Sequence, residues 1–217
     1  MSTTAVKPGR DPIVDQYRAS RTQPGVAVLV VDVDAWLRPR LCRLLETEPR
    51  FRLAGSADSA AEAMRMTEHE RVDLAVIGHH PPSPRGLGLC HELKRSASPP
   101  AVVICAAYPD AVLSACCVVA EADALVSVYD CDLELAGVLD RVARGIRFLP
   151  TVPPRVAAML HPCLEPAELA MFSMLLAGLP VSDVACGLRM SRAEFESRRS
   201  ALLSKLAALT STSVKHT

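Results

Sequence analysis

Val72-Asp73-Leu74-Ala75-Val76-Ile77-Gly78-His79-His80-Pro81-Pro82 is a short apolar run that closes on a glycine, two histidines and a proline-stiffened loop. Bounded by turn residues and too short for an ordinary helix, it reads as a buried strand over Val72 to Ile77, with Gly78 at its carboxyl end. Upstream, Val26 to Val31 is the aliphatic run that a parallel strand buried on both faces requires, and Trp36 to Leu45 then carries apolar residues at helical spacing. The alternation continues: Arg52 to Gly55 with a helix from Ala60, a helix near Leu87 after the quoted strand, Ala101 to Ala106 with a helix from Asp110, and Ala124 to Val128 with a helix from Leu133. Strands alternating with helices in this way imply an α/β fold with a five-stranded, doubly wound parallel sheet, since parallel neighbours are joined by right-handed helical crossovers. The functional crevice of such a sheet lies beyond the carboxyl ends of its strands. Asp32, Gly78 and Ala106 are expected to converge there.

The flanks differ in composition. Residues 1–25 mix Ser, Thr, Pro, Arg and Gln without periodicity and read as a flexible arm. Residues 148–163 hold Pro150, Pro153, Pro154 and Pro162, a density that predicts a linker without regular structure. Residues 164–209 are helical in pattern, with Pro166 in an opening turn and Gly178 closing the first helix, and residues 210–217 form a tail. The expected division is therefore an α/β unit over residues 26–147 and a small all-α unit over residues 164–209.

With 217 residues, half of them hydrophobic, the chain can bury a substantial core. Its 24 basic and 24 acidic residues cancel, so no global field draws it to nucleic acid or to an anionic membrane, and any DNA affinity must be local. The eight cysteines form no C-x-x-C pair and mostly sit among aliphatic residues, which suggests a reducing cytoplasm. No leader pattern is present and no apolar run reaches the ~18 residues that span a bilayer, so a soluble, cytoplasmic protein without a membrane partner is expected. His79, His80, Cys90 and His91 match no zinc spacing, so neither a metal nor a cofactor is expected. Without a G-x-S-x-G elbow, a phosphate-cradling glycine loop or a nucleophile–base pair in the crevice, an enzyme is the least supported class.

Strand order, spacing and the turn Leu53-Ala54-Gly55 make residues 26–147 similar to the receiver domain of NarL/FixJ-type response regulators. The resemblance implies that Asp32 and Val33 stand where that family keeps two magnesium-holding acids, Gly78 where it keeps the phosphate-accepting aspartate, Ala106 where it keeps Thr or Ser, and Val128 where it keeps lysine. Only Asp32 is retained. Glycine has no carboxylate, so no acyl phosphate forms at 78, and one acid with its neighbour Asp34 is a poor magnesium site. The substitutions turn a polar crevice apolar. Either the crevice has filled and left a dimerisation scaffold, or it binds a small hydrophobic ligand or a partner peptide. The scaffold is the expected outcome, since sequence reveals no cavity, while likeness to the atypical receivers of antibiotic-producing actinomycetes adds weight to the second, with secondary-metabolite genes as the target.

Leu164-Glu165-Pro166 with Glu168, Leu175-Leu176-Ala177-Gly178-Leu179, Asp183-Val184-Ala185, Leu188, Ser191 and Leu202-Leu203-Ser204-Lys205-Leu206 resemble, without a gap, the LuxR-type helix-turn-helix that follows such receivers. Ser191-Arg192-Ala193-Glu194 has the form of a capping box, so the recognition helix is expected to begin near Arg192. Phe195, Leu202 and Leu206 then point inward, Glu196, Ser197 and Ser200 share the opposite side, and Arg192 and Arg199 flank it. Arg192, Glu196, Ser197, Arg198, Arg199, Ser200 and Lys205 are the candidate DNA contacts, arginines for phosphates and Ser or Glu for base edges. From Arg189 to Lys205 five basic residues face two acidic ones, Glu194 and Glu196.

Two departures stand out: Glu196 replaces a lysine usual in that family, and Arg189 replaces a turn glycine at a cost of about 1 kcal/mol if the backbone is left-handed there. Leu202, Leu203, Leu206 and Leu209 are expected to pair across a two-fold axis. These features point to a transcriptional regulator that binds double-stranded promoter DNA as a homodimer without aspartyl phosphorylation. The alternative, for which Glu196 speaks, is an interaction module that hetero-dimerises with another regulator.

Overall fold

The computed structural model describes residues 25–80 and 83–213. The arm before Gly25, Pro81, Pro82 and the tail after Ser213 lie outside the described residues. Five strands, β1 (Val26–Val31), β2 (Phe51–Ala57), β3 (Leu74–His79), β4 (Ala101–Ala106) and β5 (Ala124–Ser127), form one sheet in the order β2-β1-β3-β4-β5. Every pairing is parallel. Between them run α1 (Leu37–Glu46), α2 (Ala60–His69), α3 (Arg85–Lys94) and α4 (Ala111–Ala120), and α5 (Cys131–Ala143) follows β5. The order reverses between β1 and β3, the point at which an α/β sheet opens its crevice.

β1 and β4 have the bounds that their aliphatic runs predict, because each is buried on both faces. β3 is displaced by two residues. Asp73 bridges ahead of it, its Oδ2 accepting from the Ala27 amide at 3.0 Å, and pairing continues through Gly78 opposite Cys105 and His79 opposite Ala106. Gly78 therefore lies inside the strand.

One apolar layer, with Val28, Val30, Leu37, Leu41, Val103 and Leu139, covers the α1–α5 face of the sheet. On the other face, residues of α2, α3 and α4 form a cluster that runs without interruption into Met171, Phe172, Phe195 and Leu202 of the helical unit. α4 is the junction: of its ten residues only Ala111 and Val118 are not buried. A helix that is apolar all round must be covered on both sides.

The linker expectation needs correction. Phe148 bridges to Ala124 beside β5, and α6 (Pro154–Leu160) and a 3₁₀ turn (His161–Cys163) follow. Pro154 sits at the first helical position, where the missing N–H has no intrahelical partner to lose, so the prolines start this helix instead of preventing it. Beyond come α7 (Pro166–Leu176), α8 (Val181–Gly187) and α9 (Arg192–Ser213). Gly178 takes a φ of 78° after α7, and Arg189 a φ of 53° in the turn between α8 and α9, the strained position anticipated above. Glu121, after α4, is also left-handed, at 61°. α9 continues to Ser213, four residues into the stretch expected to be tail.

Candidate functional site

The crevice is organised by an unusually close approach. A Cβ placed on Gly78 would lie 1.8 Å from Asp32 Oδ2 and 2.4 Å from its Cγ, so the Asp32 carboxylate fills the space that any side chain at 78 would need. Gly86 is close for the same kind of reason: its Cβ would meet the Gly78 carbonyl oxygen at 2.8 Å, so a small residue seats the first turn of α3 on β3. Asp32 is buried. Its Oδ1 accepts from the Asp34 amide at 2.7 Å and lies 2.7 Å from His80 Nε2, while Oδ2 has no hydrogen-bond partner among the described residues. The Asp34 carboxylate turns back to accept from the Trp36 amide at 2.7 Å, so it supports the entry to α1 and does not join Asp32 as a second acid.

Above this arrangement lies a cleft of about 670 Å³. Val31, Ile77, Leu89 and Ala60 supply apolar walls, and Asp58, Ser59, Ser83 and Arg85 the polar rim. Asp32, Val33 and Gly78 line it, whereas Ala106 and Val128 do not. The expected convergence of Ala106 is thus corrected: a methyl group has nothing to offer a polar crevice and packs into the α2–α4 layer, while Val128 packs into the opposite one. His79, next to the pair, is buried, with neither ring nitrogen partnered among the described residues. Burial, assisted by neighbouring His80, pushes its pKa down to about 4. Among the described residues no three His, Cys, Asp or Glu side chains gather as a metal site.

The helical unit has the geometry of a helix-turn-helix, with α8, a turn at Arg189 and α9. Ser191 Oγ accepts from the Glu194 amide at 3.2 Å, which starts α9 at Arg192. Phe195, Leu202 and Leu206 are buried on its inner side, and Arg192, Ser197, Arg198 and Ser200 are exposed. The remaining candidates lie elsewhere. Lys205 hydrogen-bonds Glu168 of α7 at 2.8 Å, and that bond raises its pKa above the ordinary lysine value against the effect of desolvation. It clamps α9 to α7.

Glu196 and Arg199 are buried against the α/β unit. Arg199, fully buried, places Nη2 2.7 Å from Glu121 Oε2 and Nη1 3.7 Å from Glu196 Oε1. Glu196 Oε2 in turn lies 3.5 Å from His91 Nε2 and 3.8 Å from Arg95 Nε, both reached from α3. Burial, then the charges of Arg199 and Arg95, hold the His91 pKa down at about 4, so the ring is neutral at pH 7. Leu203 and Ala207, one and two turns further along the same stripe, are buried as well, and α9 packs chiefly on α4. The leucines assigned to a two-fold axis are therefore corrected: Leu202, Leu203 and Leu206 are covered by this chain's own core.

The interface residues Glu121 and Arg95 escaped the sequence reading, and His91 entered it only as a zinc ligand to be weighed, since polar side chains at helix ends are unremarkable one at a time. The signal that pointed there was α4 itself, Ala111-Val112-Leu113-Ser114-Ala115-Cys116-Cys117-Val118-Val119-Ala120, which has no charged face to show to water.

No protein-family model matches the chain, and no curated protein matches it. Solved structures do. The complex of the two-component response regulator RcsB with DNA is 16% identical over 87% of this chain and 98% of that one, with a TM-score of 0.56. A LuxR-family two-component response regulator from an Aurantimonas species is 20% identical over 64% and 96%, at 0.54. The signal receiver domain of the putative response regulator NarL from Mycobacterium tuberculosis is 19% identical over 56% and 98%, at 0.52. These likenesses establish the fold: a five-stranded parallel receiver-like sheet with flanking helices, followed by a C-terminal helical unit, as in response regulators.

Proposed function

We propose that the chain is a DNA-binding transcriptional regulator, working in the cytoplasm as a dimer, whose receiver-like unit is not switched by aspartyl phosphorylation. The observation that carries the DNA reading is the α8–turn–α9 arrangement with Arg192, Ser197, Arg198 and Ser200 each exposed around the outer side of α9. Two arginines beside serines suit phosphate positioning and base-edge contact in a major groove. RcsB, whose fold this chain shares, has been solved bound to DNA and as dimers on DNA. A single module of this size contacts a short half-site, so dimerisation is the physical route to useful affinity. Against phosphorylation stands Gly78, where the Asp32 carboxylate occupies the only space an acceptor side chain would have.

Control then falls to the cleft above Gly78. Its apolar walls around a buried carboxylate suit a small, mostly hydrophobic molecule, and control of secondary-metabolite genes by such a product follows from the likeness to atypical receivers. Titrating apolar metabolites while following the Tm of the protein tests this arm, and no shift across a broad panel removes it. The DNA reading is tested by fluorescence anisotropy on promoter duplexes. Binding should weaken steeply with added salt and on Arg192→Ala or Arg198→Ala; salt-insensitive binding, or none, contradicts it.

A second reading, an interaction module that hetero-dimerises with another regulator, is favoured by the burial of Glu196 and Arg199. It predicts a stable hetero-complex and no footprint by the isolated protein.

A further inference from the structure

Gly78 and His80 line the cleft while His79 between them does not, the side-to-side alternation of a strand carried one residue past its end. His80 is thereby brought to Asp32, whose side chain is fully buried while the imidazole stays 39% exposed. Asp32 Oδ1 already accepts from the Asp34 amide, and a carboxylate oxygen has no hydrogen to give, so His80 Nε2–H is the donor at 2.7 Å. Oδ2 receives no hydrogen bond from the described residues. A half-exposed ring thus serves a buried carboxylate that can accept more, beside a cleft of about 670 Å³ with apolar walls at Val31, Ala60, Ile77 and Leu89.

We propose that His80 is a tethered stand-in for the ligand of this cleft, an apolar heterocycle with a ring N–H that displaces the imidazole and donates to the Asp32 carboxylate in its place. The exchange conserves one N–H to carboxylate hydrogen bond, so the polar contributions nearly cancel, and the balance is set by the apolar surface that the ligand buries along the walls. The carboxylate also selects. A ketone, ether or carboxylate would bring lone pairs or negative charge against it, and a primary ammonium would lose most of its hydration to a largely apolar lining; a neutral ring N–H meets neither penalty in full. The displaced imidazole, already 39% exposed, turns to water about its own side-chain bonds. The inference rests on the ligand reading of the cleft given above, and adds to it the group that discriminates among apolar molecules.

Titration calorimetry of the full chain with indole and with N-methylindole, which differ in the donor and little in shape, tests it. Indole should bind tighter by on the order of tenfold. On binding, the ring proton resonances of His80, assigned by their loss in His80→Ala, should move toward those of a free side chain. His80→Ala removes the internal competitor, so indole should bind it severalfold tighter than it binds the parent. Asp32→Ala should bind the two probes alike, and Asp32→Asn, which keeps the shape and a neutral acceptor, should fall between. Equal affinities for the two probes in both the parent and His80→Ala overturn the proposal and leave an apolar cleft without a selecting group, as does a donor preference that survives in Asp32→Ala. Binding of neither probe to either form overturns the ligand reading of the cleft itself, and the proposal with it.

Discussion

Two acid–base groupings, each pairing a fully buried side chain with a partly exposed one, can be compared, one at the carboxyl edge of the sheet and one between the two units. In the first, Asp32 and His80 belong to neighbouring loops of a single α/β layer, and the carboxylate lies over Gly78 at a distance no side chain could share. In the second, Glu121 of one unit meets Arg199 of the other, and Glu196 returns the contact to His91 and Arg95. Breaking the first grouping perturbs one packed layer. Breaking the second removes a contact between two units, so a charge pair of similar length holds one layer together in one place and two units together in the other. Burial alone does not distinguish them; connectivity does.

The largest effect should come from the interdomain grouping. Arg199→Ala leaves Glu196 buried without its strongest compensating charge, and removal of one partner of a buried pair costs about 3–5 kcal/mol, with the lower end expected because Glu121 is partly exposed. Chemical denaturation of the full chain measures it, and a loss below about 1 kcal/mol would place this grouping with ordinary surface ion pairs. Next, Gly78→Ala should cost about 1–3 kcal/mol by overpacking against Asp32. In an Asp32→Ala background most of that cost should vanish, since the obstructing carboxylate is gone; additive costs in the double-mutant cycle would show that the close approach is not what restricts position 78.

A smaller, pH-dependent effect sharpens the same comparison. His79 lies beside the crevice and His91 in the interface, and both have folded-state pKa values lowered from 6.5 to about 4. Between those values the unfolded chain binds more protons than the folded one, so stability is greatest above pH 6.5 and declines as the pH falls toward 4. Thermal melts of His79→Gln and His91→Gln should each show a shallower decline than the parent. The smallest effect on stability belongs to Arg198→Ala. That side chain makes an exposed i,i+4 pair with Glu194 at 3.2 Å, worth about 0.3–0.5 kcal/mol. Its effect on duplex binding should be larger, with the salt slope reduced by about 1.

Much of the architecture is legible in local pattern. Aliphatic runs such as Val26–Val31 and Ala101–Ala106 can only be strands covered on both faces, and the helices between them follow from spacing. Gly178 marks a turn whose backbone sign the residue itself announces, whereas at Arg189 only the resemblance, with its glycine, points to a left-handed backbone. What the residues do not announce is tertiary. Pro154 reads as a breaker until one knows that it occupies the first turn of a helix. The seven residues assigned to DNA fall on the expected helix, but periodicity already sets Arg199 on the inward stripe of Phe195, Leu202 and Leu206, and what it does not tell is that α3 and α4 cover the edge of that stripe and bury Glu196 with it. That position 78 offers no carboxylate is visible in sequence, but that Asp32 fills the space over Gly78 is a fact of packing.

The most direct test of the central claim, that Asp32 over Gly78 has replaced phosphoryl chemistry with fixed architecture, is intact-mass spectrometry of the full chain after incubation with acetyl phosphate and Mg²⁺, paired with duplex affinity before and after. The account predicts no acid-labile adduct and an unchanged affinity. A stoichiometric acid-labile phospho-species that alters duplex binding would contradict it.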